Sequence, residues 1–246
     1  MNSNTIQLFA AALTGLAVTS TQAASILIND AGFEDDVFTA NMFSGGNFDF
    51  TAWEEDRTNS SLTFVANGSG FAPFGIPGPK TGDQYAFLHA NGNQNNLTGS
   101  SFLSQDTPLL WSVLSVGDTL TAKVWTTYRS DLPGDADTTF SFNAADGSGI
   151  TSDAIDVTVG TTAGVWAEQT WSYVVTQSDL DAAALGSWGA VNLQIGITQT
   201  TTAQQPNDPR QVAFDDVSLE YTAIPEPGSL ALIGIGGLLF LRRRLG

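Results

Sequence analysis

The chain has 246 residues, no cysteine, and 25 acidic against 8 basic side chains, for a formal net charge of −17. Without cysteine there is no disulfide framework, thiolate metal site or thiol nucleophile. An acidic surplus of this size repels nucleic acid and anionic headgroups, which excludes nucleic-acid binding, and it attracts divalent cations.

The N-terminal stretch Leu8-Phe9-Ala10-Ala11-Ala12-Leu13-Thr14-Gly15-Leu16-Ala17-Val18 is a short apolar core, and small residues follow it up to Ala23 and Ala24. That order predicts a signal helix over residues 1–24, removed by signal peptidase to leave a mature start near Ala24 or Ser25. One feature departs from the usual pattern: no Lys or Arg precedes the apolar core, so the amino terminus alone supplies positive charge there.

Residues 25–222 form one domain with room for a sizeable core. Strand signals recur along it. Thr119 to Tyr128 alternates Leu120, Ala122 and Val124 against Thr121, Lys123 and Trp125. Stretches 138–142, 165–175, 191–197 and 212–221 are rich in β-branched and aromatic residues and read as further strands. Turn chemistry separates them at Pro133-Gly134-Asp135, Asp146-Gly147-Ser148-Gly149 and Pro206-Asn207-Asp208-Pro209. The one helical signal is Ser178 to Leu185, with Ser178 as expected cap and Gly186 as stop. Many short strands without intervening helices predict an all-β fold, an antiparallel β-sandwich or jelly roll.

Five landmarks in chain order carry a resemblance. They are Asn29-Asp30-Ala31-Gly32-Phe33-Glu34, Gly82-Asp83-Gln84-Tyr85-Ala86-Phe87-Leu88, Leu114-Ser115-Val116-Gly117-Asp118-Thr119-Leu120, Trp166-Ala167-Glu168-Gln169-Thr170-Trp171 and Val212-Ala213-Phe214-Asp215-Asp216-Val217-Ser218-Leu219. The series resembles the galactose-binding-like jelly roll of many carbohydrate-binding modules. The resemblance implies a structural calcium joining the first and last strands, with Glu34 and Asp215 or Asp216 at the matching positions and Gly82 to Asp83 adding a carbonyl. Physical chemistry makes Asp215 the stronger ligand. If Ala213, Val217 and Leu219 face the core, a period of two turns Asp215 inward as well, and an inward carboxylate needs a cation or donors. The bland alternative is that both aspartates are solvated or bond turn amides.

Sugar binding needs exposed aromatic platforms. Trp125 lies on the face opposite Leu120, Ala122 and Val124, and Tyr128 and Arg129 follow it, so these three are the candidate ligand residues. No catalytic residue is expected. His89 is the only histidine, and it has no Gly-x-Ser-x-Gly elbow to serve. Adjacent acids such as Glu54-Glu55 are common in so acidic a chain. A glycan-active hydrolase on the same fold remains the alternative to a structural or binding role.

The C-terminus closes with Pro225-Glu226-Pro227, an apolar run over residues 228–241, and Arg242-Arg243-Arg244. The prolines stop any helix from extending backwards, so a membrane helix begins only after them. The arginines hold the far end on the cytoplasmic face. At about 1.5 Å per residue the run is marginal for spanning a bilayer, which suits a temporary stop better than a permanent anchor. The order of parts over residues 223–246 resembles the PEP-CTERM sorting signal of bacterial exported proteins. That resemblance implies an exosortase as partner, an inner-membrane-associated precursor, and a cell-surface or extracellular product, with exopolysaccharide of the matrix as a candidate ligand.

Overall fold

The computed structural model describes residues 23–35, 52–58, 62–67, 78–90, 98–128, 137–144, 149–151, 164–185, 192–202 and 210–224. Residues 1–22 of the predicted signal helix, the membrane helix, the Arg cluster and the Pro225-Glu226-Pro227 motif lie outside them, while residues 23 and 24 are strand rather than helix. Among the described residues, no helix is long and apolar enough to cross a membrane.

Among the described residues, eleven strands make two antiparallel sheets. In chain order they are β1 (Ala23–Ile26), β2 (Glu54–Thr58), β3 (Leu62–Asn67), β4 (Gln84–Ala90), β5 (Thr98–Leu110), β6 (Thr119–Tyr128), β7 (Asp137–Ala144), β8 (Gly149–Thr151), β9 (Ala167–Val174), β10 (Asn192–Thr202) and β11 (Arg210–Thr222). One helix, α1 (Gln177–Leu185), lies between β9 and β10. The six-stranded sheet runs β3-β4-β11-β6-β9, with β1 also paired to β11; the five-stranded sheet runs β2-β5-β10-β7-β8. The expected antiparallel β-sandwich is therefore the fold observed.

Alternation builds the core. Leu120, Ala122 and Val124 of β6, Ala86 and Leu88 of β4, and Val212 and Phe214 of β11 face Leu103, Leu193, Ile195, Ile197 and Phe142 of the other sheet. Phe142 of β7 stacks on Trp171 of β9 with ring centroids 4.5 Å apart, joining the two sheets. Phe33 and Trp53, 5.3 Å apart, close one end of this core.

Three local features differ from the expectation. β1 begins at Ala23, ahead of the expected domain start at residue 25, so the expected signal-peptidase region lies in a paired strand. The helix cap is Thr176 rather than Ser178. Asp179 N–H donates to Thr176 Oγ1 at 3.3 Å while Thr176 N–H donates to Asp179 Oδ2 at 2.7 Å. This is a reciprocal capping box set two residues earlier than Ser178. The third difference lies in β11. Its pairing with β6 steps from Asp215–Trp125 to Ser218–Lys123, so one extra residue is inserted. Asp216 adopts φ 50° there, a left-handed conformation that Asp tolerates better than most residues.

Candidate functional site

The bulge decides where Asp215 points. A strict period of two would place Asp215 with Val217 and Leu219 in the core. The inserted residue shifts the phase instead. Val212 and Phe214 face the core before the bulge, Val217 and Leu219 face it after, and Ala213 and Asp215 lie on the outer face of the six-stranded sheet. Asp215 is nonetheless fully buried, because the segment 78–81 crosses over it. Its Oδ2 accepts N–H groups of Lys80 at 2.7 Å and Thr81 at 3.2 Å, and its Oδ1 accepts the Asp216 N–H at 2.8 Å. Its carboxyl is pushed up to about 7, mainly by loss of solvent and in part by the Asp216 charge, with the three amides offsetting some of the rise.

Glu34 and Asp216 stand beside it. Gly32 is the point they share: a Cβ there would lie 3.7 Å from Asp215 Oδ1, from Asp216 Oδ1 and from Glu34 Cγ. Glu34 Oε1 accepts N–H groups of Asp83 at 2.8 Å and Gln84 at 3.0 Å. Asp216 Oδ1 accepts the Thr81 hydroxyl at 2.6 Å. The N-terminal segment is pinned to the bulge, with Val217 N–H donating to the Ala31 carbonyl at 2.9 Å. The three acids named for calcium are thus neighbours, joined through the 78–84 segment. Among the described residues, however, no three acidic or histidine side chains form a group that holds a metal ion. The buried Asp215 carboxylate meets main-chain donors on the outer face instead.

The same outer face carries a buried aromatic and hydroxyl cluster that the sequence did not single out as a unit. Trp125 pairs in register with Asp215, and Thr127 with Ala213, which pairs in turn with Phe87. Tyr85 lies two residues before Phe87 on β4. Tyr85, Phe87, Ala213 and Thr127 are fully buried. Trp166 meets Tyr85 edge-on, ring centroids 5.8 Å apart, and is held by its indole N–H on the Gly78 carbonyl at 2.8 Å. The Lys80 ammonium sits 4.2 Å from the centre of the Trp125 ring. Among the described residues, the Tyr85 and Thr127 hydroxyls on this face have no hydrogen-bond partner, and burial pushes the Tyr85 phenol up. An unmade buried hydrogen bond costs about 1–3 kcal/mol, so a water, an ion or a ligand that reached these hydroxyls would be favoured there.

Trp125 is half-buried with one face under Lys80, while the side chains of Tyr128 and Arg129 lie outside the described residues. The signal that ties Tyr85 and Trp166 to Trp125 is cross-strand register, which a single sequence does not display. The His89 side chain also lies outside the described residues.

Fold and site together define an acidic antiparallel β-sandwich with a buried polar and aromatic cluster on one outer face, followed in sequence by the Pro225-Glu226-Pro227 tail. Residues 223–244 match the PEP-CTERM protein-sorting motif. The protein is exported, with a C-terminal membrane anchor before processing. Among solved structures, the fold is similar to a Stig cyclase, Fisc, from Fischerella sp. TAU in complex with (3Z)-3-(1-methyl-2-pyrrolidinylidene)-3H-indole; the TM-score is 0.54 at 17% identity, covering 81% of this chain and 98% of that one. A cyclase from Fischerella sp. TAU gives 0.53 at 16% identity with the same coverage. The CBM22-1 xylan-binding domain from Paenibacillus barcinonensis Xyn10C gives 0.41 at 9% identity, covering 85% of this chain and all of that one. At these identities the likeness is one of fold. No curated protein matches the chain.

Proposed function

We propose that this exported sandwich is a binding domain that holds a neutral, hydroxyl-rich ligand, a glycan of the matrix outside the cell, on the outer face of its six-stranded sheet, without turning it over. The observation that carries this reading is the pair of unpartnered buried hydroxyls, Tyr85 and Thr127, on a face walled by Trp125 and Trp166. Hydroxyl groups of a sugar satisfy both, and its apolar C–H faces suit indole surfaces. Lys80 is exposed and stands on a flexible stem, so it is the group that a ligand displaces from Trp125. A glycan array of the domain tests this. Tyr85→Phe weakens the best ligand about tenfold, as does Trp166→Ala. If Tyr85→Phe instead raises stability and leaves every bound glycan unchanged, the hydroxyl is a packing defect and the seat is elsewhere.

A second reading is favoured by one observation, the Asp215 carboxyl that holds its proton close to neutrality. A buried acid of that kind serves as proton donor in a glycan-active hydrolase. Product release from a bound glycan, lost in Asp215→Asn, separates this reading from simple binding.

Calcium enters the proposal as a structural ion between Glu34 and Asp216, each of which keeps one carboxylate oxygen outside the hydrogen bonds described above. Hard cations prefer such oxygens, with main-chain carbonyls completing the shell. The expected result is a rise of several degrees in Tm on adding millimolar calcium after EDTA, absent in Glu34→Gln. Equal melting curves with and without calcium remove the ion from the proposal.

A further inference from the structure

The two ends of the sandwich meet on one strand edge. β1 pairs with the last residues of β11, Ala23 opposite Thr222 and Ile26 opposite Leu219. The other side of the same residues is held by β6, with Thr119 opposite Thr222. Ala23 and Ala24, where signal peptidase is expected to act, are therefore laddered to the stem of the sorting segment.

Past Thr222 the chain is held for two more residues by Asp118. This side chain is 1% exposed and gathers three donors. Its Oδ1 accepts the Ile224 N–H at 3.0 Å. Its Oδ2 accepts the Ser115 N–H at 2.8 Å and the Tyr221 hydroxyl at 2.8 Å. Burial and the Asp118 carboxylate push the Tyr221 phenol up to about 12, so it remains a donor at physiological pH. The Ile224 side chain closes over Gly117, where φ is 93° and an added Cβ would come within 2.7 Å of Ile224 Cδ1. Ile224 remains 44% exposed, so the hydrogen bond to Asp118 rather than burial fixes it.

A protease that takes its substrate as an extended strand needs the main-chain groups free. Backbone already laddered must first open, and cutting is slowed by the free energy of that opening. We infer that the folded sandwich sets both processing points: pairing of β11 with β1 closes the signal-peptidase site, and Asp118 protects the chain as far as Ile224, so that sorting cleavage falls beyond it. The identity of the second protease rests on the sorting motif; nothing here rests on glycan binding. An order of events follows. β11 is synthesised and crosses the membrane about two hundred residues after β1, so signal peptidase acts before β1 has a partner. A precursor that folds first keeps its signal peptide.

The full-length chain, folded in detergent micelles, is the material for the test. Purified signal peptidase is expected to cut it at least tenfold more slowly than it cuts the chain emerging into membrane vesicles during cell-free synthesis. Proteinase K, read by mass mapping of terminal peptides, is expected to leave Ala23 to Ile224 uncut at both ends. Asp118→Asn and Ile224→Pro both move the C-terminal boundary back to Thr222 and speed cutting there about tenfold. Ile224→Pro leaves the Ser115 and Tyr221 bonds of Asp118 intact, so it reads the clamp even if Asp118→Asn folds poorly. Equal signal-peptidase rates on folded and emerging chain overturn the first half. A wild-type boundary at Thr222, or an unmoved boundary in Ile224→Pro, overturns the second.

Discussion

Asp215 shows how two opposing effects on one side chain are weighed. Three N–H donors favour its charged form and lost solvation disfavours it; solvation wins, so the carboxyl rises from 3.8 to about 7. In the unfolded chain the same group ionises near its ordinary value. Between about pH 4 and 7 the native state therefore holds a proton that the unfolded state has released, and stability falls as pH rises through that window. Below the window both states are protonated and the penalty vanishes. Above it the loss is complete, on the order of a few kcal/mol. Urea unfolding in EDTA at pH 4.5 and 7.5 reads the effect directly. The wild-type midpoint falls over this range, and Asp215→Asn, which never ionises, shows a flatter profile. Parallel profiles would mean that Asp215 is ionised throughout.

At the scale of elements, the join between β4, the 78–83 segment and the β11 bulge was only half legible. Gly82-Asp83 reads as a turn into a strand, and the turn is there, with Gly82 at φ 59°. What the pattern does not show is that the Glu34 carboxylate occupies the space beside that glycine: an added Cβ would stand 2.0 Å from Oε1. Gly82→Ala is therefore expected to cost about 2–3 kcal/mol through left-handed strain and a displaced carboxylate. For a domain of this size that lowers Tm by roughly 5–10 °C. Glu34→Ala relieves the clash, so the double variant loses less than the two single losses combined. The bulge itself was illegible because period-two reasoning carries no insertion, and that one residue moves Asp215 from one side of the sheet to the other. β6 was legible end to end, since its apolar and polar positions alternate cleanly. β5 was not: Ser101, Ser104, Gln105 and Thr107 are buried, and a strand with polar residues on both faces leaves no hydrophobic signature. Those groups are accepted inside because they find partners, as Gln105 does on the Asn29 and Ala52 carbonyls at 2.8 and 2.9 Å.

Over the whole molecule, charge limits what can approach. Five basic residues precede the tail, at positions 57, 80, 123, 129 and 210, while every acid lies between Asp30 and Glu226. A cut beyond Ile224 that removes Arg242, Arg243 and Arg244 leaves the released domain more acidic than its precursor. Among the described side chains, Lys123 is engaged with Glu220 at 3.4 Å and Lys80 lies over Trp125, against a large acidic surplus. Like-charge repulsion of this kind acts at long range and is screened within about 8–10 Å at physiological salt. The sandwich is therefore expected to bind neutral polysaccharide with little dependence on ionic strength. Uronate- or sulfate-rich polysaccharide is bound only when a divalent cation bridges the two acidic surfaces, and that binding is lost on chelation. Co-sedimentation with neutral and anionic polysaccharides, in EDTA and in millimolar calcium, at low and high sodium chloride, distinguishes the cases. Tight binding to the anionic polymer in EDTA at low salt would place a basic binding surface outside the described side chains, and would move the ligand seat away from the Trp125 face.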